Sequence, residues 1–112
     1  MDEHVYPPPT KELSQKRQQL APDVDAAFHE FSKKVFADGA LASKTKQLIA
    51  VAVAHVTQCP YCIRGHTQSA LRHGASEQEI MEAVWVAAEM RAGGAFAHSV
   101  IALETMAMSR GA

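Results

Sequence analysis

Leu48-Ile49-Ala50-Val51-Ala52-Val53-Ala54-His55, then Val56-Thr57-Gln58, then Cys59-Pro60-Tyr61-Cys62-Ile63-Arg64-Gly65-His66: the reading of this chain turns on these nineteen residues. The first part alternates valine with alanine and could be taken for a strand. Ser43 at an N-cap position, a length that runs from about Lys44 to about Gln58, and the many alanines argue instead for a helix. Its surface is apolar nearly all round from Leu48 to Ala54, so it is expected to be the central buried helix. Pro60 breaks the run and suits the first turn of a new helix with Cys59 as its N-cap. That helix carries Tyr61, Cys62, His66, Ala70 and Leu71 and stops at Gly74.

Outward from this centre the pattern stays helical. Downstream, Ser76 and Glu79 have the spacing of a capping box, and Ile80, Ala83, Val84, Ala87 and Ala88 form the apolar face that follows. Gly93-Gly94 predicts a break or a close helix crossing, after which a last helix takes Phe96 to about Met108 with Val100, Leu103 and Ala107 inward. Upstream, Thr10 or Ser14 can cap a first helix and Pro22 interrupts or restarts it. Val24, Ala27, Phe28, Phe31 and Val35 then follow i, i+3, i+4 spacing to a stop at Asp38-Gly39. Pro7-Pro8-Pro9 makes residues 1–10 an extended tail; residues 110–112 are expected to be a short C-terminal tail. The expected fold is all-α, one domain of five to six helices over residues 11–109. The alanines suggest close helix packing, with part of the apolar surface buried between subunits.

Composition narrows the function classes. The chain has 112 residues and a formal net charge of −1, which gives no electrostatic argument for nucleic acid or an anionic membrane as partner. No apolar run approaches the ~18 residues of a membrane span. The start, Met1-Asp2-Glu3-His4-Val5-Tyr6-Pro7, lacks the basic and apolar regions of a signal peptide. A cytoplasmic protein is expected, and there a single Cys-x-x-Cys pair points to redox chemistry or metal binding.

On a helix that begins at Cys59, residues 59, 62 and 66 fall on one face. Amide N–H groups and the positive end of the helix dipole at Cys59 favour a thiolate. His66 stands four residues beyond Cys62, within reach of its sulfur directly or through water. A thiolate that attacks a peroxide becomes a sulfenic acid, and a neighbouring thiol condenses with it to a disulfide, which an external dithiol can reopen. Two alternatives stand beside this cycle. His55, Cys59, Cys62 and His66 supply four N and S ligands that could close a zinc site in a non-enzymatic or scaffold oligomer, and two core cysteines could share the spacing by chance. The redox cycle itself calls for no cofactor and no metal.

The run Lys44-Thr45-Lys46-Gln47-Leu48-Ile49-Ala50-Val51-Ala52-Val53-Ala54, with Cys59-Pro60-Tyr61-Cys62 and His66, resembles the carboxymuconolactone decarboxylase family and, within it, the AhpD-like alkylhydroperoxidase core. Gly74-Ala75-Ser76-Glu77-Gln78-Glu79-Ile80 and Ala92-Gly93-Gly94-Ala95-Phe96-Ala97-His98 fit the same family, so the resemblance spans about residues 20–108. It implies an all-helical, antioxidant enzyme with peroxiredoxin activity that assembles into trimers or hexamers. It also implies peroxide as substrate and an external dithiol reductant, a lipoyl carrier or a thioredoxin-like protein. Carried over by position, Cys62 is peroxidatic, Cys59 resolving, and His66 part of a proton relay. The family name also invites a lactone or decarboxylation enzyme, which would need an acid–base pocket and no thiol pair.

Two positions depart from the family pattern. Gln47 stands where the family usually has a glutamate, and an amide does not take up a proton at pH 7. His55 on the same helix, or Glu89, could supply the missing group; Glu89 could equally pair with Arg91 or Arg64. Tyr61 stands where the founding AhpD proteins have histidine, and it is a pocket candidate together with His98. His4, His29 and His73 have no supporting context, and Trp85, Met106 and Met108 read as core or interface.

Overall fold

The computed structural model describes residues 6–111. His4, the first half of the expected N-terminal tail, and Ala112 lie outside them. Five helices run in order: α1 (Lys11–Leu20), α2 (Pro22–Phe36), α3 (Ser43–Thr57), α4 (Pro60–Arg72) and α5 (Glu77–Gly111); the described residues contain no strand. The chain, read above as one domain, divides into two compact units, one through Ser43 and the other from Lys44.

In the first unit the local signals act as the sequence suggests. Residues 7–10 have no regular structure and are exposed. The Thr10 hydroxyl accepts from the Leu13 N–H at 3.1 Å and caps α1. Pro22 disfavours helical backbone at the residue before it, and Ala21 accordingly leaves the helix at φ −153°. Pro22 then opens α2, and α1 folds back on α2 as a hairpin. The Arg17 guanidinium lies 3.8 Å from the Asp25 carboxylate across it. The stripe of Val24, Phe28, Phe31 and Val35 is present on α2 but remains exposed. Ser43 is not a cap. Its hydroxyl is turned to donate to the Phe36 carbonyl at 2.6 Å, and its own N–H, one of the donors of the first turn, is answered by the Asp38 carboxylate at 2.7 Å. A charged acceptor at a helix start is favoured by the unpaired N–H groups and the positive end of the dipole there.

The second unit holds the core. Val51 of α3, Ala70 of α4, Ala75 and Ile80 are buried together, with Leu48 and Val84 packed against them. Only one face of α3 is buried, at Gln47, Val51 and Ala54, spaced i, i+4, i+7. Ile49, Val53 and Val56 stand exposed, so the expectation of a helix buried all round is corrected.

The turns on either side of α4 are built alike. After α3, Gln58 takes φ 58° and the Cys59 N–H reaches the Ala54 carbonyl at 3.1 Å. After α4, Gly74 takes φ 92° and the Ala75 N–H reaches the Ala70 carbonyl at 2.9 Å. Both are left-handed helix endings that satisfy late carbonyls. The first places a side chain where glycine is the unstrained choice.

At the start of α5, the Ser76 hydroxyl accepts from the Glu79 N–H at 3.0 Å while the Glu79 carboxylate accepts from the Ser76 N–H at 2.9 Å. The Lys44 ammonium of α3 lies 3.0 Å from the same carboxylate. The Ser76 bond and then Lys44 hold the Glu79 pKa below the usual 4.5.

α5 corrects the break expected at Gly93-Gly94. It runs through both glycines and on to Gly111, over part of the expected C-terminal tail. Two interior glycines cost a helix roughly 2 kcal/mol relative to alanine, and without a proline or a capping bond the long flanking segments carry the helix across. Val100, Leu103 and Ala107, expected inward, are exposed, as is every described residue of α5 beyond Gly94. No helix of the described residues is long and apolar enough to cross a membrane.

Two substitutions check this packing by chemical denaturation. Val51→Ala removes two methyl groups from a fully buried position and lowers the unfolding free energy by about 2 kcal/mol. Gln58→Gly relieves the left-handed backbone and raises it by about 1 kcal/mol, net of the greater freedom of glycine in the unfolded chain.

Candidate functional site

Pro60 at the first position of α4 leaves Cys59 just outside the helix, in extended backbone at φ −102°, ψ 103°. Its sulfur accepts the Cys62 N–H at 3.2 Å and so caps the helix, as the sequence suggests. The two cysteines are joined as a disulfide with their Cα atoms 5.3 Å apart, within the range that a disulfide spans. Both are half-buried, so the bond lies within reach of a small thiol or disulfide from solvent.

His66 follows Cys62 by one turn of α4. Its Nδ1 lies 2.7 Å from Gln47 Oε1, a bond between α3 and α4 across nineteen residues of sequence. An amide oxygen only accepts, so in this bond Nδ1 is the donor. Gln47 is 5% exposed and is the one buried polar residue among those described. Burial around His66 disfavours its charged form and lowers its pKa from the usual 6.5.

The other candidates are placed elsewhere. His55 Nδ1 donates to the Val51 carbonyl of its own helix at 2.8 Å, and no hydrogen bond joins it to Gln47, His66 or the cysteines. Tyr61 is 40% exposed at the start of α4, and His98 is exposed on α5. Glu89 is exposed too and forms no ion pair among the described residues. Its suggested partner Arg91 instead donates to the Val56 carbonyl of α3 at 2.7 Å.

The four candidate zinc ligands do not converge. The cysteine sulfurs are bonded to each other, His55 serves its own helix, and no group of three or more His, Cys, Asp or Glu is gathered among the described residues.

Two features escape sequence reading. Arg91 secures the last turn of α3 just before the cysteines, but its charge alone suggested an ion pair. Gln58 adopts left-handed backbone with no glycine to signal it; the only hint is Pro60 two residues on.

A family model described as the carboxymuconolactone decarboxylase family matches residues 22–105. An uncharacterized protein of the cox locus of Paracoccus denitrificans is 65% identical over 83 residues, which is 74% of this chain and 75% of that protein. Among solved structures, a carboxymuconolactone decarboxylase family protein from Legionella pneumophila matches with a TM-score of 0.66 and 34% identity, over 72% of this chain and 75% of its own. A protein from Thermotoga maritima, described as a family member with a candidate part in an antioxidative response, matches with a TM-score of 0.53 and 28% identity, over 71% and 92% of the two chains.

The lowered pKa of His66 has a stability consequence of definite sign. The folded state favours neutral imidazole, so the unfolded chain binds more protons as the medium is acidified. The resulting stabilisation is fully present above pH 6.5 and is lost as pH falls through the lower folded value. A proton NMR titration is expected to place His66 below 6.5, and urea denaturation to show an acid loss of stability that shrinks in His66→Gln.

Proposed function

Because the chain belongs to the carboxymuconolactone decarboxylase family, we propose that it is a thiol-dependent peroxidase and disulfide oxidoreductase of the AhpD-like kind. The observation that carries this is the pair Cys59–Cys62 at bridging distance on the N-terminus of α4, with His66 one turn further along. The antioxidative description of the Thermotoga maritima relative fits the same chemistry.

In the proposed cycle the Cys62 thiolate attacks one oxygen of a peroxide. The O–O bond breaks, Cys62 becomes a sulfenic acid, and the leaving oxygen takes a proton to depart as an alcohol or water. The Cys59 thiolate then attacks the Cys62 sulfur, and the hydroxyl leaves as water with a proton. An external dithiol, from a lipoyl carrier or a thioredoxin-like protein, attacks the disulfide, becomes a disulfide itself and restores both thiols. The helix N-terminus that holds Cys59 Sγ against the Cys62 N–H favours thiolate at Cys59 as it leaves. His66 accepts the Cys62 proton and returns it to the leaving oxygen.

The protein is proposed to act in the cytoplasm as a homo-oligomer, a trimer or hexamer. The exposed Phe96, Val100 and Leu103 of α5 and Phe28 and Phe31 of α2 support assembly, because a monomer rarely leaves so much apolar side chain to water.

Reduced protein treated with less than one equivalent of hydrogen peroxide, then alkylated and analysed by mass spectrometry, is expected to lose both thiols together and to regain them with a dithiol. A Cys62→Ser variant is expected to consume no peroxide. A Cys59→Ser variant is expected to stop at sulfenic acid, trapped by a dimedone probe. If the two thiols remain free after peroxide, the cycle is wrong.

A further inference from the structure

The junction between α3 and α4 sets two helix ends against each other, and Cys59 stands between them. α3 stops at Thr57 and α4 starts at Pro60. The carbonyl end of a helix carries about half a negative charge and the amide end about half a positive one. Cys59 is therefore under opposed influences. The amide end of α4, whose Cys62 N–H lies 3.2 Å from the Cys59 sulfur, favours a thiolate, and the carbonyl end of α3 opposes it.

The sequence leaves one of those carbonyls without a donor along the helix. The residue four positions after Val56 is Pro60, which has no N–H to give. The Ala54 carbonyl is answered by the Cys59 N–H at 3.1 Å. The Val56 carbonyl is answered from α5, where the Arg91 guanidinium donates to it at 2.7 Å across thirty-five residues of sequence. Arg91 thus caps α3 from another helix and brings a full positive charge to its negative end, just ahead of Cys59. The groove that Arg91 shares with Val53, Val56, Val86 and Met90 has no carboxylate in its lining.

We propose that Arg91 is a positioning residue of the thiol pair that acts through the end of α3: it offsets the negative end of that helix and so favours the thiolate of Cys59, the sulfur that leaves when an external dithiol opens the disulfide. This rests on the disulfide oxidoreductase reading above and specifies its reductive half. The incoming thiolate attacks the Cys62 sulfur, the S–S bond breaks, and Cys59 departs as the stabilised thiolate. The second thiol of the dithiol then opens the mixed disulfide on Cys62. The dithiol becomes a disulfide, and two electrons and two protons pass from it to the cysteine pair. The other titratable or charged groups around the junction are His55 on α3, Tyr61, Arg64 and His66 on α4, and Glu89 on α5. All of them are kept in the variants below, so differences between variants report on position 91.

The test alkylates fully reduced protein with iodoacetamide from about pH 5 to about pH 10 and resolves the two cysteines by mass spectrometry. Arg91→Met keeps an apolar stem and removes the charge. It is expected to raise the pH midpoint of Cys59 alkylation by about half a unit, the scale of a cation at an exposed helix end. Arg91→Lys restores a cation and a donor and is expected to bring the midpoint back. In about 1 M salt the difference between wild type and Arg91→Met is expected to shrink by at least about half. A second measurement mixes oxidised protein with 2-mercaptoethanol, quenches with acid and locates the first adduct. Wild type is expected to carry it on Cys62 at least about threefold more than on Cys59, with this preference reduced in Arg91→Met.

An unchanged Cys59 midpoint in Arg91→Met, no recovery in Arg91→Lys, a difference that ignores salt, or a wild-type adduct mainly on Cys59 would each overturn the inference. A merely structural Arg91 would lower stability in urea and leave the midpoint and the adduct where they are. Should Arg91→Met fail to fold by circular dichroism, Arg91→Gln, which keeps a donor without the charge, and the wild-type adduct decide it. The outcomes also separate the two levels of the proposal. If dithiothreitol does not open the pair and neither a peroxide nor a disulfide closes it, the redox reading itself fails. If the pair opens and closes but the Arg91 variants match wild type, only the role of Arg91 fails.

Discussion

One left-handed residue sets the geometry on which the rest depends. Gln58, at φ 58°, ends α3 and lets the Cys59 N–H close back on the Ala54 carbonyl. Pro60 begins α4 at once, so no spacer separates the buried face of α3 from the thiol pair. Arg91 secures the same turn from α5 through the Val56 carbonyl. The strain of a side-chain-bearing residue in this conformation, of order 1 kcal/mol, is tolerated because the surrounding hydrogen bonds fix the backbone. Only with that turn in place do Gln47 and His66, far apart in sequence, come to 2.7 Å.

The Gln47–His66 bond joins stability to chemistry. A buried amide without a partner would cost about 1–3 kcal/mol, so His66 is as necessary to the fold of α3 as Gln47 is to the orientation of His66. Because both members are neutral, the pair sits beside the apolar cluster of Val51, Ala70 and Ile80 without the larger penalty of a buried charge.

Local signals in the sequence are accurate where the partners lie within a few residues. Thr10, Pro22, Cys59 with Pro60, and Ser76 with Glu79 all start helices as their spacing suggests, since capping is settled within one turn of backbone. Ser43 fails as a cap because the loop turns its hydroxyl to the Phe36 carbonyl and makes Ser43 itself the first residue of the helix, its N–H answered by Asp38. Gly93-Gly94 fails as a stop because helix propensity is a small, additive cost that long flanking helices outweigh. The inward face assigned to the end of α5 fails for another reason. Periodicity shows that Val100 and Leu103 share a side of the helix, and it does not say whether the same chain provides anything to cover them.

By itself the sequence determined an all-helical chain, the position of its thiols at a helix start, and the presence of an amide at position 47 (a site singled out through the family resemblance). These follow from interactions of short range, which the order of residues encodes directly. The tertiary structure decided which group meets His66, turned His55 toward its own helix, directed Arg91 to a carbonyl rather than to Glu89, and gave Gln58 its unusual backbone. Each of these depends on how a turn directs the next helix and on which polar groups are shut away from water together. Such outcomes are fixed by packing across the fold rather than by spacing along the chain.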